Sequence, residues 1–144
     1  MANSPGTERK IALEMKGIHK SFGDKVVHRG VDLTLYEGEV LGLFGGSGTG
    51  KSVLIRSIIG LDRPDDGEVI FEGRDLLKLK ERELFSVRTR IGFVFQNGAL
   101  FDSLTVEENL AYPLKEHTKL SDAEIRQRID RMLELIDMKD AKKL

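Results

Sequence analysis

The sequence predicts an α/β domain, because short buried strands alternate in it with helical segments. The run Val40–Phe44 is nearly continuous in apolar residues, which is typical of a strand buried on both faces of a mainly parallel sheet. Apolar residues at helical spacing follow from Leu54 to Ile59, and a second buried strand is predicted at Ile91–Phe95. We expect an antiparallel layer before this core and a helical segment after it.

The composition limits the classes of protein to which the chain can belong. The chain has 144 residues, 40% hydrophobic and 33% charged, which is enough for a domain with a buried core. Its net charge of -1 gives no electrostatic argument for a nucleic-acid partner. The lack of cysteine excludes disulfides and thiolate metal sites. No apolar run approaches the roughly 20 residues that span a bilayer, so we expect a cytoplasmic location.

The first part of the chain predicts a tail and two strands. Residues 1–9 are mostly small and polar, as in a flexible tail. Alternating apolar residues then predict half-buried strands over Ile11–Ile18 and Val31–Leu35. The segment FGDK at 22–25 is a turn between strand segments. These strands form the expected antiparallel layer.

Two further elements lie between the predicted parallel strands. The segment PDDGEVIFEG predicts a turn at Asp65–Gly67, a strand over Glu68–Phe71 and a second turn at Gly73. The charged segment KERELFSVRTR, which follows it, is expected to be a surface helix. The helix after the first parallel strand is expected to end at Gly60.

The last third of the sequence predicts helices. Thr105 with Glu108 and Ser121 with Glu124 fit the capping box, in which a hydroxyl and an acid three residues later satisfy free N–H groups at a helix start. After the second box, one apolar helical face is predicted from Ile125, Ile129, Met132, Leu133 and Ile136.

The segment GGSGTGKS matches the phosphate-loop pattern G-x-x-x-x-G-K-[ST], between a predicted buried strand and a predicted helix. Glycines let the backbone adopt positive φ, so that successive N–H groups point at an anion near the positive helix end. Lys51 is expected to reach the β and γ phosphates, and Ser52 to ligate Mg²⁺. The loop therefore predicts a site for a nucleoside triphosphate, formed by Gly45, Gly46, Ser47, Gly48, Thr49, Gly50, Lys51 and Ser52.

Gln96 directly follows the second predicted buried strand. A side chain that leaves the carboxyl end of a parallel strand faces the crevice where such sheets bind ligands. Its amide is then placed to ligate a metal or orient water. The alternative is a surface glutamine in a loop.

The stretch SFGDKVVHRGVDLTLYEGEVLGLFGGSGTGKSVLIRSIIGLDRPDDGEVIFEGRDL, followed by RIGFVFQNGALFDSLTVEENLAYPL, resembles the first half of an ATP-binding-cassette (ABC) transporter ATPase. The resemblance covers the chain from about residue 11 to its end. It implies a P-loop ATPase core with an amino-terminal antiparallel layer, over 10–96, and the start of a helical subdomain, over 97–144, both incomplete.

The resemblance also implies roles for individual residues. Phe22 takes the position of the aromatic residue that stacks on adenine, and its alternative is a core phenylalanine at a strand end. Gln96 matches the glutamine that senses Mg²⁺ and the γ-phosphate. Val53 replaces a common threonine, which leaves its backbone N–H to contact the α-phosphate. ATP and Mg²⁺ are the implied ligands.

A finer resemblance lies in GALFDSLTVEEN and YPLKEHT, which are similar to the Mla-type ATPases that move phospholipid between membranes. It implies that 97–104 and 112–117 dock a transmembrane permease, which would hold the protein at the inner face of the cell membrane. The alternative is a solvated loop in which Leu100, Phe101 and Leu104 are ordinary core. For His117 a plain surface role is favoured.

Three parts that hydrolysis requires in this family do not occur in the sequence: an LSGGQ-like signature, a Walker B strand and a switch histidine. The chain therefore resembles the amino-terminal part of a longer ATPase, and we expect it to bind nucleotide without hydrolysing it. Unpaired sheet edges are expected to favour self-association.

The implied function is the ATP-binding subunit of a transporter, which pairs with a second ATPase subunit. Two alternatives remain at this stage. One is an ABC ATPase for another substrate, and the other is a nucleotide-binding module without a transport role.

Overall fold

The computed structural model describes residues 9–96 and 98–144, and these form two compact units. One unit ends at Ile91 and the other begins at Gly92. Most of the predicted tail, residues 1–8, lies outside the described residues. Within the described ranges, no helix has both the length and the apolar character needed to cross a membrane.

The first unit contains an antiparallel sheet of four strands. In chain order these are β1 (Ile11–Phe22), β2 (Lys25–Tyr36), β3 (Asp66–Phe71) and β4 (Arg74–Asp75). Their spatial order is β2-β1-β3-β4, so β1 pairs with both of the other long strands. The predicted antiparallel layer is confirmed, and its first two strands are longer than predicted.

Strand β1 contains an irregularity that the sequence pattern reflects. Leu13 and Met15 are buried, and the next buried residue is Ile18, three positions on rather than two. The register of pairing with β2 shifts between Met15 and Ile18, as at a β-bulge. Gly67 of β3 packs against this segment, where an added Cβ would lie 2.5 Å from the Lys16 carbonyl oxygen. Only glycine fits at that point.

Two helices share a core with the sheet. They are α1 (Lys51–Ile58) and α2 (Glu81–Arg88), and a single 3-10 turn, Leu76–Lys78, precedes α2. Arg88 donates from Nε to the Ile59 carbonyl oxygen at 2.8 Å, which satisfies a free carbonyl at the end of α1. The buried apolar members of the core are Leu13, Met15, Ile18, Leu54, Val69, Leu76, Leu84 and Val87.

The two predicted parallel strands are not formed. Val40–Phe44 and Ile91–Phe95 have no strand geometry, and Val40, Phe44 and Val94 are 97%, 96% and 93% exposed. A parallel strand is stable only with hydrogen-bonded neighbours, and within 9–96 and 98–144 neither run pairs with another strand. The apolar pattern indicates that these segments suit a buried strand. It contains no information on whether strands are present to pair with them.

The second unit is formed by two packed helices, α3 (Val106–His117) and α4 (Asp122–Leu135), with a 3-10 segment at Lys139–Lys143. Successive turns of α4 supply its buried side chains, and half-buried residues of α3 pack against them. The buried set is Ile125, Ile129 and Leu133, and the α3 residues that pack against it are Val106, Leu110, Ala111 and Leu114.

The apolar face of α4 is narrower than predicted. Met132 is 44% exposed and Ile136 is 62% exposed. Ile136 is the C-cap residue and follows the last helical turn, so helical spacing no longer directs its side chain to the partner helix. Because α4 packs against one helix, its buried face contains residues spaced four apart, namely Ile125, Ile129 and Leu133.

Both predicted capping boxes are confirmed. The Thr105 hydroxyl accepts a hydrogen bond from the Glu108 N–H at 3.2 Å, and the Glu108 carboxylate accepts from the Thr105 N–H at 2.8 Å. Ser121 and Glu124 repeat the arrangement at 3.4 and 2.7 Å. Hydrogen bonds from the Thr105 backbone and hydroxyl lower the pKa of Glu108, and those from the Ser121 hydroxyl and backbone lower the pKa of Glu124, below the ordinary value of 4.5.

These shifts give a pH dependence with a defined sign. A carboxyl whose pKa is lower in the folded state stabilises the fold fully above its unfolded pKa, and this contribution is lost as the pH falls through the folded pKa. We therefore expect the thermal midpoint of the wild type to fall, relative to a Glu108→Gln/Glu124→Gln double variant, as the pH decreases below 4.5. Glutamine preserves the capping geometry without titrating. Parallel midpoint curves for the two proteins from pH 7 downwards would contradict this assignment.

Candidate nucleotide-binding site

The glycine loop leads directly into α1. Gly48 and Gly50 have φ of 77° and 94°, and Gly50 is the N-cap residue of the helix. The first turn of α1 contains no acidic residue, so its free N–H groups and the positive end of the helix dipole are not offset locally. The loop and helix start have the backbone features of the anion cradle that the motif predicts.

The Lys51 ammonium lies over the loop. Its Nζ donates to the carbonyl oxygens of Gly45 and Gly46 at 2.7 and 2.6 Å, and it lies 3.4 Å from the Thr49 hydroxyl. Thr49 in turn donates from its hydroxyl to the Gly46 carbonyl at 3.0 Å. These neutral oxygens are weaker partners for an ammonium than phosphate oxygens, so the lysine is held in place and can exchange them for an anionic ligand.

The loop forms one wall of a cleft of about 380 Å³. The opposite residues come from the ends of β1 and β2 at their connecting turn. A cleft of this size is within the usual range for small-molecule sites. Its lining residues are Phe22, Lys25, Val27, Gly48, Thr49, Gly50, Lys51, Ser52 and Val53.

Phe22 is held at the edge of this cleft and is 49% exposed. The alternative of a core phenylalanine is therefore wrong. The Lys20 ammonium lies 5.2 Å from the ring centroid, and Asp65 accepts from Lys20 Nζ at 3.0 Å and from the Ser21 N–H at 2.6 Å. The hydrogen bonds from Lys20 and the Ser21 backbone lower the pKa of Asp65. This ionised carboxylate anchors the end of β1 that bears Phe22.

Ser52 lies in the first turn of α1 and is exposed to the cleft. Val53 is half-buried beside it and also lines the cleft. Within the described ranges no three His, Cys, Asp or Glu side chains cluster as a metal site. A serine hydroxyl in a phosphate cradle fits Mg²⁺, which binds through few protein oxygens together with phosphates and water.

His28 on β2 is a neighbour of the loop that the sequence did not indicate. It is only 5% exposed, and its Nε2 lies 3.2 Å from the Gly50 carbonyl oxygen. In the sequence the residue stands out only as one of three scattered histidines. Register shifts along β1 and β2 obscure which side chains of β2 face inwards, so no periodic signal marked it.

Gln96 belongs to the second unit, where it lies in a turn after a segment without regular secondary structure and is exposed. The residue after it, Asn97, lies outside the described residues. Exposure is compatible with both the metal-sensing role and the surface-loop alternative.

The segment after Gln96 exposes a small apolar surface. Leu100, Phe101 and Tyr112 are 74%, 51% and 49% exposed, and the last two rings contact edge-on with centroids 5.2 Å apart. Leu100 and Phe101 are therefore not core residues, although Leu104 is half-buried.

Asn109 of α3 fixes the backbone beneath this surface. Its Nδ2 lies 3.0 Å from each of the carbonyl oxygens of Phe101, Leu104 and Thr105, which share its two N–H donors, and its Oδ1 accepts from the Phe101 N–H at 2.8 Å. The apolar side chains are thus displayed by a loop with its own hydrogen-bond support.

The family model described as ABC transporter matches residues 28–144. The chain belongs to the ABC transporter family. It is 42% identical over 137 residues to the probable ribonucleotide transport ATP-binding protein mkl of Mycobacterium tuberculosis, covering 95% of this chain and 38% of mkl. It is 37% identical over 129 residues to the intermembrane phospholipid transport ATP-binding protein MlaF of Haemophilus influenzae, covering 90% of this chain and 49% of MlaF.

A third family member, the methionine import protein MetN of Rhizobium johnstonii, is 41% identical over 142 residues, which is 99% of this chain and 39% of MetN. Among solved structures, the dimeric ABC transporter cassette MJ0796 matches with a TM-score of 0.82 and 31% identity, over 91% of this chain and 60% of that chain. The described fold is therefore part of an ABC ATPase cassette. The chain spans less than half the length of these three ATP-binding relatives.

The glycines of the loop provide a test of the cradle geometry. A Cβ at Gly50 would lie 2.5 Å from Val27 Cγ1 and 2.7 Å from His28 Nε2, whereas a Cβ at Gly48 meets nothing within 4 Å. Both positions have positive φ. We expect Gly48→Ala to reduce the free energy of unfolding by about 1–2 kcal/mol, the usual cost of the left-handed region. Gly50→Ala should cost more, because it adds steric overlap.

Urea denaturation of the two variants measures this difference. Equal losses of stability would contradict the close packing of Gly50 against β2.

Proposed function

We propose that this chain binds ATP with Mg²⁺ in the cleft between the glycine loop and the β1–β2 turn. The observation that carries the proposal is that Phe22 and the residues Gly48–Val53 line the same cleft. An aromatic face and an anion cradle are the two features that an adenine nucleotide requires. A second structure of the related cassette MJ0796, 31% identical to this chain, is bound to ADP and Pi, which supports the same ligand class.

The phosphates are the part of the ligand that the loop recognises. Backbone N–H groups from Gly48 to Val53 contact the anion, and Lys51 exchanges the Gly45 and Gly46 carbonyls for phosphate oxygens. Mg²⁺, when bound, neutralises phosphate charge. The Ser52 hydroxyl of the loop suits Mg²⁺, and the family resemblance implies a metal-sensing role for the Gln96 amide.

The adenine is placed on Phe22. Base stacking on an aromatic side chain contributes about 1–3 kcal/mol and does not require the tyrosine hydroxyl. Because the ring is half-exposed at the end of β1, a base can reach it without displacing core residues. Recognition through stacking alone predicts weak discrimination between purine bases.

The longer protein is proposed to be the energising subunit of a transporter at the inner face of the cell membrane. Two copies would pair around ATP, in line with the dimeric form of MJ0796. Hydrolysis would use Gln96 together with the signature, Walker B and switch residues of the complete cassette. The exposed apolar residues Leu100, Phe101 and Tyr112 are proposed to dock a transmembrane permease.

Phospholipid is the proposed cargo. The support is the MlaF match and the segments GALFDSLTVEEN and YPLKEHT, which are similar to the Mla type. The matches to mkl and MetN, named for ribonucleotide and methionine transport, define the competing substrates.

The nucleotide proposal separates into a phosphate part and an adenine part. We expect Lys51→Ala to weaken Mg-ATP binding by at least about 100-fold, because it removes a charge-assisted partner of the phosphates. Phe22→Ala should weaken ATP binding by about tenfold but leave tripolyphosphate binding unchanged, because only stacking is lost. Isothermal titration calorimetry of each variant with both ligands measures these affinities.

Lys119→Ala, which changes a lysine outside the cleft, is the charge control and should bind as the wild type does. Unchanged ATP affinity in Lys51→Ala would contradict the site. Equal losses for ATP and tripolyphosphate in Phe22→Ala would contradict stacking.

The docking and cargo proposals require the full-length protein with its membrane partner. We expect Phe101→Ala to weaken permease binding by about 30-fold, seen as reduced co-purification, since truncating an aromatic anchor that becomes buried in an interface costs about 2 kcal/mol. Leu135→Ala, which truncates another apolar residue, 80% exposed on α4, should not. Equal recovery of the permease with both variants would contradict docking at Phe101.

The same complex in proteoliposomes tests the cargo through stimulation of ATP hydrolysis. Stimulation by phospholipid acceptors or donors is the expected result, and stimulation by methionine or a ribonucleotide instead would contradict the lipid assignment.

A further inference from the structure

His28 is a buried polar residue whose two ring nitrogens have different surroundings. Nε2 lies 3.2 Å from the Gly50 carbonyl oxygen. Nδ1 is buried and has no hydrogen-bond partner among the described residues. Buried polar atoms without partners are uncommon because they cost free energy, so the presence of this ring against the glycine loop calls for a compensating interaction.

The contact with Gly50 determines where the ring proton resides. A carbonyl oxygen can only accept a hydrogen bond, so Nε2 must carry the proton and donate it. Nδ1 is then the bare nitrogen with its lone pair. The opposite tautomer would place two lone pairs against each other at Gly50 and bury an N–H without an acceptor. The surroundings therefore select the Nε2–H form.

This hydrogen bond orients a peptide group of the nucleotide cradle. The Gly50 carbonyl and the Lys51 N–H belong to one planar trans peptide and point in opposite directions. The Gly50 oxygen also accepts from the Leu54 N–H at 2.9 Å, as the first bond of α1. Fixing the oxygen from β2 thus fixes the direction of the Lys51 N–H, which is one of the donors proposed to face the phosphates.

The imidazole also occupies the volume beside Gly50. An added Cβ at that residue would lie 2.7 Å from Nε2. Glycine at position 50 and histidine at position 28 are therefore complementary in shape as well as in hydrogen bonding. A leucine at position 28 would fill similar space but would leave the Gly50 oxygen without its second donor.

We propose that His28 is a positioning residue for nucleotide binding, which holds the phosphate loop in its binding conformation by donating from Nε2 to the Gly50 carbonyl. The inference rests on the proposed ATP site, and it concerns a residue that does not itself touch the nucleotide. It assigns to β2 the role of orienting the loop from outside the cradle.

Two substitutions separate the hydrogen bond from the packing. His28→Leu keeps an apolar filling without a donor, and His28→Gln restores an N–H donor near the position of Nε2. We expect Mg-ATP affinity to fall about fivefold in His28→Leu, the effect of one hydrogen bond, and to return to within about twofold of the wild type in His28→Gln. Thermal midpoints measured on the same samples show whether each variant is folded.

Two further measurements do not depend on nucleotide. Nitrogen-15 NMR of the imidazole should show a protonated Nε2 and a bare Nδ1 in the wild type. Amide exchange at Lys51 and Ser52 should be faster in His28→Leu than in the wild type, and slower again in His28→Gln. A protonated Nδ1 with a bare Nε2, or equal exchange in the two variants, would overturn the inference.

The Mg-ATP affinities of the variants are compared with the NMR and amide-exchange results. Equal ATP affinity in the wild type and a folded His28→Leu would also overturn the inference. If the wild type binds no ATP, the proposed function fails, and the ring spectrum and the exchange rates still decide whether His28 holds the loop.

Discussion

The contact between Gly50 and strand β2 is the constraint on which the candidate site depends. Gly50 ends the phosphate loop, begins α1 and lies against Val27 and His28 with no room for a side chain. A positive φ at this residue turns the chain from the loop into the helix. Because β2 also leads back through a tight turn to β1, the same strand places Phe22 beside the loop. Strand β2 thus positions both the glycine loop and the Phe22 ring.

The sequence predicted the elements whose signals are local. Thr105 with Glu108 and Ser121 with Glu124 form their capping boxes with neighbours in the chain, so the pattern contains all the information that the helix start needs. The antiparallel strands were predicted for a similar reason, since apolar residues at every second position of a strand indicate that one face of it is buried. Val40–Phe44 was not predicted correctly, because a parallel strand is stabilised by strands distant in sequence and none pairs with it in 9–96 or 98–144.

For the site, the motif gave the loop and its lysine because their chemistry depends on consecutive backbone groups. Phe22 came from family resemblance alone, and only the structure places its ring beside the loop. Asn109 and His28 had no sequence signal. Asn109 bonds to the backbone of a loop residue eight positions earlier, and His28 bonds to Gly50, which is 22 positions later in the chain. Hydrogen bonds from a side chain to a distant backbone group follow no periodic sequence pattern.

The measurement that tests the account most directly is a titration of the isotope-labelled chain with Mg-ATP, followed by NMR. We expect the amide signals of Gly45–Ser52 and the ring signals of Phe22 to shift together with one dissociation constant. A titration with Mg-AMP should reproduce the Phe22 shifts and lose most of the loop shifts. If ATP shifts neither set, or shifts a surface away from the cleft, the structure does not bind nucleotide through this loop.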